Sequence, residues 1–228
     1  MKILFWDIDG TLLRTAKAGL YAFEQAAGDL YSVKVDLSAI PTAGRTDNYI
    51  ACEIIKAATG REPAETAVRQ LVAHYESLLP GYLVKHPGHL LPSVPETLAH
   101  FRGCPDCLTL LLTGNTQNGA QAKLRHYEID QFFDFQLSAF AGHYVYRNDI
   151  ARQALAGLKG RLPDINPGRI YVIGDTPHDI ECGKAIGART IAVATGRFSR
   201  DELAACHPWK SLEKLPGADQ FASMIEGR

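Results

Sequence analysis

The chain has 228 residues, of which 46% are hydrophobic and 21% are charged, and its formal net charge is −1. This composition excludes a disordered chain, and the balanced charge excludes binding to nucleic acid or to an anionic membrane through overall charge. The longest apolar runs fall short of the roughly 18 residues of a membrane helix. The N-terminus does not resemble a signal peptide, and five cysteines do not suggest a disulfide framework, so we expect a cytoplasmic protein.

The predicted elements alternate between strands and helices. Short apolar runs predict buried strands at Ile3–Trp6, Leu108–Leu112, Ile170–Ile173 and Thr190–Val193. Helical spacing is found at Pro95–Arg102, Gln117–Tyr127, Asp149–Leu158 and Asp179–Ile186. Continuous apolar runs are typical of strands that helices cover on both faces. The alternation therefore predicts an α/β fold with a Rossmann-like parallel sheet, whose ligand sites lie at the carboxyl ends of the strands.

The segment 16–85 interrupts this alternation. It contains no convincing buried strand and predicts three helices, at Gly19–Ala27, Asp47–Ala58 and Ala64–Leu79. Gly60 is expected to end the second helix, and the Pro-Gly pair at 80–81 is expected to end the third. We interpret the segment as a helical domain inserted after the first strand, which leaves 1–15 and 86–228 as the core domain. The alternative is one larger domain that includes the segment.

Four aspartates follow two of the predicted strands. Asp7 and Asp9 come directly after the first strand, and Asp175 and Asp179 follow the third. Because parallel strands open on the same edge of a sheet, these acids can converge there, and neighbouring carboxylates repel each other unless a cation lies between them. Oxygen ligands of this kind suit Mg²⁺. The alternatives are an exposed turn for the first pair and a helix-capping acid for Asp179.

Two further segments predict a phosphate site beside these acids. The second strand ends in Thr113-Gly114, which offers a hydroxyl and free backbone N–H groups to a phosphate, although an ordinary helix cap has the same sequence. Arg147 lies just before a predicted helix. Its guanidinium keeps its charge and can hold a phosphate oxygen or an aspartate, the alternative being a surface arginine.

These segments, in this order, resemble the motifs of the haloacid dehalogenase superfamily, and they span the whole chain. The motifs are residues 7–13, residues 110–114, a basic residue and residues 174–179. The helical segment resembles the cap of the phosphoglycolate-phosphatase-like and β-phosphoglucomutase-like branch. Within it, Gly44-Arg45-Thr46-Asp47 resembles the cap loop that approaches the substrate, which makes Arg45 a candidate substrate contact. The basic motif residue is usually a lysine in the family; Arg147 is the best candidate here, and the competitors are Lys123, Arg152 and Lys159.

The resemblance implies a Mg²⁺-dependent phosphatase that acts on a small phosphorylated metabolite, as a monomer or homodimer. It implies Asp7 as the nucleophile, which forms an aspartyl-phosphate, and Asp9 as general acid and base. Mg²⁺ would be held by Asp7, Asp175 and the backbone carbonyl of Asp9, while Asp179 would bind a metal water or the basic residue. The phosphoryl oxygens would be held by Thr113, Gly114 and Arg147.

Several other functions share part of this pattern. A sugar phosphomutase has the same motifs, and a non-catalytic phosphate-binding protein is the alternative from another functional class. A haloacid dehalogenase or a phosphonate hydrolase is disfavoured, because neither branch uses the carboxylate found here at Asp9. Cys104 and Cys107 have the spacing of a redox or metal site, but no second pair completes four ligands. We therefore interpret them as small residues flanking a turn.

Overall fold

A parallel sheet of five strands runs through the computed structural model, which describes residues 1–226. The strands in these residues are β1 (Lys2–Trp6), β2 (Leu13–Arg14), β3 (His89–Leu90), β4 (Cys107–Leu111), β5 (Ile170–Gly174), β6 (Arg189–Val193) and β7 (Lys210–Leu212). The helices are α1 (Ala18–Tyr31), α2 (Asp47–Thr59), α3 (Glu65–Lys85), α4 (Val94–Arg102), α5 (Gln117–His126), α6 (Arg147–Arg161), α7 (Pro177–Ala185), α8 (Arg200–Ala205) and α9 (Ala218–Glu226).

The sheet has the strand order β4-β1-β5-β6-β7, and each neighbouring pair is parallel. The predicted α/β fold with a Rossmann-like parallel sheet is therefore confirmed. Each of the four predicted strands is present, and its ends differ from the prediction by at most one residue. Because the strands are parallel, the segments that follow β4, β1 and β5 lie side by side at one edge of the sheet.

The inner strand β1 is apolar from Ile3 to Trp6 because both of its faces are covered. Leu4 and Trp6 point into a cluster that also contains side chains of α4, α5 and α9. Ile3 and Phe5 point into a second cluster, with side chains of α6 and α7. This two-sided burial explains the continuous apolar run in the sequence. It also fixes the direction in which the chain leaves the sheet after Trp6.

Three helices, α1 to α3, are inserted after the first strand and pack around an apolar cluster of their own. We call them the helical unit. At the centre of this cluster the rings of Phe23 and Tyr75 stack with centroids 3.8 Å apart and an angle of 5° between their planes. Gly60 ends α2 in the left-handed conformation, with a φ of 70°, as predicted.

The prediction that the Pro-Gly pair at 80–81 ends the third helix is wrong. α3 continues through Pro80 to Lys85. A proline inside a helix removes one backbone hydrogen bond and crowds the preceding turn. Leu79 and Leu83, on either side of it, are buried in the apolar cluster of the helical unit. Their packing offsets the cost of the proline, so tertiary contacts override the local signal.

Several short elements were not predicted. β2 and β3 pair antiparallel, with Leu13 opposite Leu90, where the chain enters and leaves the helical unit. β7, α8 and α9 extend the far side of the core. Within residues 1–226, no helix combines the length and the hydropathy that crossing a membrane requires.

Candidate active site

Three buried carboxylates meet at the carboxyl edge of the sheet. Asp7 follows β1, and its backbone N–H still pairs with the Ile173 carbonyl at 2.9 Å. Asp175 follows β5, and Asp179 lies in the first turn of α7. One carboxylate oxygen from each of the three lies within 4.8 Å of the others. The predicted convergence of these acids is therefore present for the three carboxylates that are buried.

Arg147 is the basic residue that contacts this group. It is the first residue of α6, which begins earlier than the sequence predicted, and its side chain is buried. Its guanidinium donates to Asp7 Oδ1 at 3.0 Å, to the Leu112 carbonyl at 3.2 Å and to Asp179 Oδ1. Burial alone would lower the pKa of Arg147, but Asp179 and Asp7 outweigh it and raise that pKa, so the group stays charged.

The charge of this group is not balanced by protein side chains. Burial, assisted by Asp179, raises the pKa of Asp7 to about 7, although Arg147 opposes the shift. Burial, assisted by Asp179 and Asp7, raises the pKa of Asp175 well above its usual value. Burial is the largest cause of both shifts, and because three carboxylates face one arginine, their ionised forms also carry excess negative charge. An all-oxygen donor set with excess negative charge fits a hard divalent cation such as Mg²⁺.

Asp9 lies apart from the three buried acids. Its side chain is 42% exposed, and its Oδ2 accepts hydrogen bonds from Lys123 Nζ at 2.5 Å and Asn115 Nδ2 at 2.9 Å. One oxygen of its carboxylate, Oδ2, is therefore occupied by a cationic and an amide donor.

The sequence favours Arg147 over Lys123 as the basic motif residue and predicts no role for Asn115. Lys123 is buried on α5, where Ala120 and Leu124 share its buried face. A lysine within the apolar face of a helix is the sequence signal that could have identified it. Burial lowers the pKa of its ammonium, but Asp9 and Asp47 outweigh burial and raise that pKa. The other two competitors for the basic position, Arg152 and Lys159, are exposed on α6.

Thr113 and Gly114 lie in the loop between β4 and α5. Thr113 is buried, and its hydroxyl accepts hydrogen bonds from the backbone and side-chain nitrogens of Asn115. Gly114 is in contact with the helical unit: a β-carbon there would collide with the Arg45 carbonyl. Glycine is therefore required at 114 for the two parts of the molecule to approach this closely. Gly10, with a φ of 84°, permits the same kind of approach to Asp175.

The loop before α2 brings the helical unit to the site. The backbone N–H of Asp47 donates to the Gly114 carbonyl at 2.8 Å, and the Asp47 carboxylate accepts from the Thr116 N–H at 2.8 Å. Burial raises the pKa of Asp47 to about 6, against the opposing effect of Lys123. Arg45 stacks its guanidinium over the Tyr49 ring, 4.6 Å from the centroid.

A cavity of about 410 Å³ lies between the core and the helical unit. We call Asp7, Arg147, Asp175 and Asp179 the floor cluster; the first three line this cavity, and Asp179 is buried behind them. The wall from the helical unit is largely apolar and includes Leu20, Phe23, Ile50 and Tyr75. The cations that line the cavity are Arg14, Lys17, Arg45, Lys123, Arg147 and Arg197. A wider groove of about 830 Å³ between α3 and α6 is lined by none of the site residues that the sequence predicted.

Comparisons with known proteins agree with this architecture. A family model described as haloacid dehalogenase-like hydrolase matches residues 1–187. "Probable phosphatase IndB" of Dickeya dadantii (strain 3937) is 29% identical over 209 residues, which cover 90% of this chain and 86% of that protein. "Pyrophosphatase PpaX" of Bacillus mycoides (strain KBAB4) is 25% identical over 233 residues and covers 100% of both chains. A HAD hydrolase of family IA, variant 3, from Entamoeba histolytica HM-1:IMSS shares the fold, with a TM-score of 0.75, 16% identity and coverage of 99% and 100%.

Proposed function

Because this chain belongs to the haloacid dehalogenase-like hydrolase family, we propose that it is a Mg²⁺-dependent phosphatase of a small phosphorylated metabolite that works through an aspartyl-phosphate. The observation that carries this proposal is the floor cluster, in which three buried carboxylates and one arginine lie at the bottom of a cavity. The relatives named as a phosphatase and a pyrophosphatase support the cleavage of a phosphate ester or anhydride.

The proposed reaction has two displacements at phosphorus. Asp7 attacks the phosphoryl group, and the oxygen of the leaving group takes a proton from Asp9 as its bond to phosphorus breaks. Asp9 then removes a proton from a water molecule, which attacks the aspartyl-phosphate and releases phosphate and free Asp7. The exposure of the Asp9 side chain to the cavity supports this role. Splitting the hydrolysis in this way replaces one difficult step with two easier ones.

The transferred group carries negative charge that the site must offset. Asp7, Asp175 and the backbone carbonyl of Asp9 would hold Mg²⁺, with Asp179 beside them, and the ion would supply positive charge against the phosphoryl oxygens. Arg147 supplies a second, permanent positive charge. The Thr113 hydroxyl and the Gly114 N–H would bind the remaining phosphoryl oxygens.

The helical unit would choose the substrate. We propose that residues 16–85 act as a cap over a core made of 1–15 and 86–228, because the cavity lies between the two parts. A volume of about 410 Å³ leaves space for an organic group beyond the phosphate. Arg45, together with Arg14, Lys17 and Arg197, suits a leaving group with a second anionic centre, such as a phosphoglycolate-like acid or a sugar phosphate. All five cysteines are free, which agrees with action in the reducing cytoplasm.

A substrate screen with a chemical trap tests the proposal. The purified protein is incubated with phosphorylated acids, sugar phosphates, nucleotides and pyrophosphate, with Mg²⁺ or with EDTA, and released phosphate is measured. We expect release from at least one phosphomonoester with Mg²⁺ only. Borohydride added during turnover should reduce the aspartyl-phosphate at Asp7 to homoserine, which mass spectrometry detects. The Asp7→Asn variant is the matched control and should give no such product.

Two results would contradict the proposal. Phosphate release that persists in Asp7→Asn excludes the covalent route. Conversion of glucose 1-phosphate to glucose 6-phosphate, without free phosphate, identifies a sugar phosphomutase instead.

A further inference from the structure

Lys123 is a buried lysine whose charge has no role in the proposed reaction. Its side chain is 6% exposed, and its Nζ lies 2.5 Å from Asp9 Oδ2 and 2.6 Å from Asn115 Oδ1. Burying an ammonium group is costly unless it is paired and hydrogen-bonded. Here the pairing is with Asp9, the side chain to which the proposed reaction assigns the proton transfers.

The hydrogen bonds to Asp9 are all on one oxygen. Oδ2 accepts from both Lys123 and the Asn115 side-chain amide, the latter at 2.9 Å. Within residues 1–226 no hydrogen bond goes to Oδ1, and Asp9 lines the cavity. Because two donors fix Oδ2, rotation of the carboxylate is restricted. The free oxygen is therefore left to face a substrate or a water molecule.

The start of α5, the helix that carries Lys123, is hydrogen-bonded to the helical unit. Thr116 caps α5, its N–H donates to Asp47 at 2.8 Å, and its hydroxyl donates to Glu76 at 2.5 Å. Asp47 and Glu76 belong to the helical unit, so α5, a helix of the core, also makes hydrogen bonds to the helical unit. The helix that carries the ammonium group is thus bonded to the helical unit at its first turn.

We propose that Lys123 is a positioning residue for Asp9. Together with Asn115 it holds Oδ2, so that Oδ1 delivers its proton to the leaving-group oxygen as the bond from that oxygen to phosphorus breaks. The ammonium group stabilises the carboxylate that this proton transfer leaves behind. The inference rests on the role of Asp9 in the proposed function. The rate should therefore depend on Lys123 more strongly for a leaving group that must be protonated than for one that leaves as a stable anion.

Two substrates with different leaving groups separate this role from a structural one. Glycerol 2-phosphate leaves an alkoxide that must be protonated, whereas p-nitrophenyl phosphate leaves a stable phenolate that needs no proton. For Lys123→Met we expect kcat on glycerol 2-phosphate to fall about 100-fold, the usual order for general acid catalysis, with a loss of less than about 5-fold on p-nitrophenyl phosphate. KM for each substrate should change by less than about 3-fold, because the lysine is not assigned to substrate binding.

Three further variants complete the test. Lys123→Arg keeps a cationic donor and should recover about tenfold of the lost kcat on glycerol 2-phosphate. Lys159→Met removes an exposed lysine of α6 and should leave kcat on both substrates unchanged. Asn115→Ser removes the second donor to Oδ2, and it should give a smaller loss with the same selectivity. It therefore tests the proposal even if Lys123→Met does not fold, which circular dichroism would reveal.

The outcomes distinguish this inference from the function on which it rests. If Asp9→Asn keeps its activity on glycerol 2-phosphate, the proposed role of Asp9 is wrong. If Asp9→Asn loses that activity but Lys123→Met slows both substrates equally, or raises only KM, the positioning role alone is overturned. A selective loss of kcat in Lys123→Met, partly recovered in Lys123→Arg, supports both.

Discussion

The floor cluster and the seam between the helical unit and the core are built from different kinds of contact. In the floor cluster, charged side chains are buried together, and Arg147 donates to two of the carboxylates, Asp7 and Asp179. Each of these groups comes from the core, so the cluster does not depend on the helical unit. Removing Arg147 there would leave two buried carboxylates without compensation, which is among the costliest changes a protein can undergo.

The seam combines the carboxylates of Asp47 and Glu76, which accept from the start of α5, with neutral side chains that bond to the backbone. Thr46 donates to the Val145 carbonyl at 2.7 Å, and Asn48 donates to the carbonyls of Gly142 and Tyr144, each at 3.0 Å. Hydrogen bonds of this type contribute about 1 kcal/mol each. The difference teaches that the buried charges of the floor cluster are paired within the core, whereas the seam joins two separately packed units through individual hydrogen bonds.

Asp7→Asn is the change with the largest expected effect on the floor cluster. It removes the proposed nucleophile, and we expect kcat to fall by at least about 10⁴-fold. The same change removes one of the mutually repelling buried carboxylates, so in EDTA the variant should have a higher Tm than the wild type. Steady-state phosphate release and thermal unfolding measure the two effects. A loss of activity below about 100-fold would contradict the role of Asp7.

Arg147→Gln tests how much the buried ion pairs of the floor cluster contribute to the free energy of unfolding. We expect the free energy of unfolding at pH 8 in EDTA to fall by about 3 to 5 kcal/mol, since two buried carboxylates lose their counter-charge. Arg152→Gln, on the same helix, breaks an exposed ion pair with Asp149 and should cost less than about 1 kcal/mol. Urea unfolding compares the two. Equal losses in both variants would remove the distinction between buried and exposed arginines.

The floor cluster is also the part of the site that the sequence predicts best. Asp7 and Asp175 directly follow buried strands, and parallel topology alone brings such positions together. Arg147 was harder to identify, because its contacts join residues far apart in the chain. The fold was predictable from an equally local signal. Continuous apolar runs such as the one in β1 indicate that both faces of a strand are buried, even when the elements that cover them are unknown.

The seam was not predictable in this way. Lys123 and Asp47 influence each other's pKa only because α5 and α2 meet, and nothing local in either helix specifies that meeting. Gly114 has no side chain that marks it as a contact with Arg45. Pro80 gave a misleading signal, since the packing of its neighbours decides the course of α3. Such features depend on how two packed units fit together, which local patterns do not encode.

A pH series compares the floor cluster with the seam in one measurement. In the folded, metal-free protein the pKa is about 7 for Asp7 and about 6 for Asp47, against 3.8 for both in the unfolded chain. Between these values the folded state binds more protons than the unfolded state, so stability is greatest at low pH and falls as pH rises to about 7. We expect Tm in EDTA to drop by several degrees from pH 5.5 to 8.

Mg²⁺ and the Asp47→Asn variant separate the contributions of the floor cluster and of the seam to this decrease in Tm. Mg²⁺ binds ionised carboxylates, so it should raise Tm more at pH 8 than at pH 5.5 through the floor cluster. Asp47→Asn should remove the part that belongs to the seam, which is complete once the pH has risen above about 6, without weakening the response to Mg²⁺. A Tm that is independent of pH in EDTA would show that these carboxylates are not short of counter-charge.

The smallest expected effect belongs to a single hydrogen bond of the seam. Thr46 is fully buried; its hydroxyl caps α2 by accepting from the Tyr49 N–H at 3.0 Å and also donates to the Val145 carbonyl. Thr46→Val keeps the shape and leaves both backbone groups unpaired, so we expect a loss of about 1 to 2 kcal/mol. Thr59→Val, at the exposed end of the same helix, is the control and should cost less than about 0.5 kcal/mol.

The seam variant should also separate stability from chemistry. Thr46→Val loosens the contact between α2 and the loop before α6 without touching the floor cluster, so hydrogen exchange should increase in α2 and in that loop. KM should rise by a few-fold while kcat changes little, because the closed state is less populated and the reacting groups are intact. A fall in kcat as large as that of Asp7→Asn would mean that closure of the helical unit, and not the core alone, assembles the reacting groups.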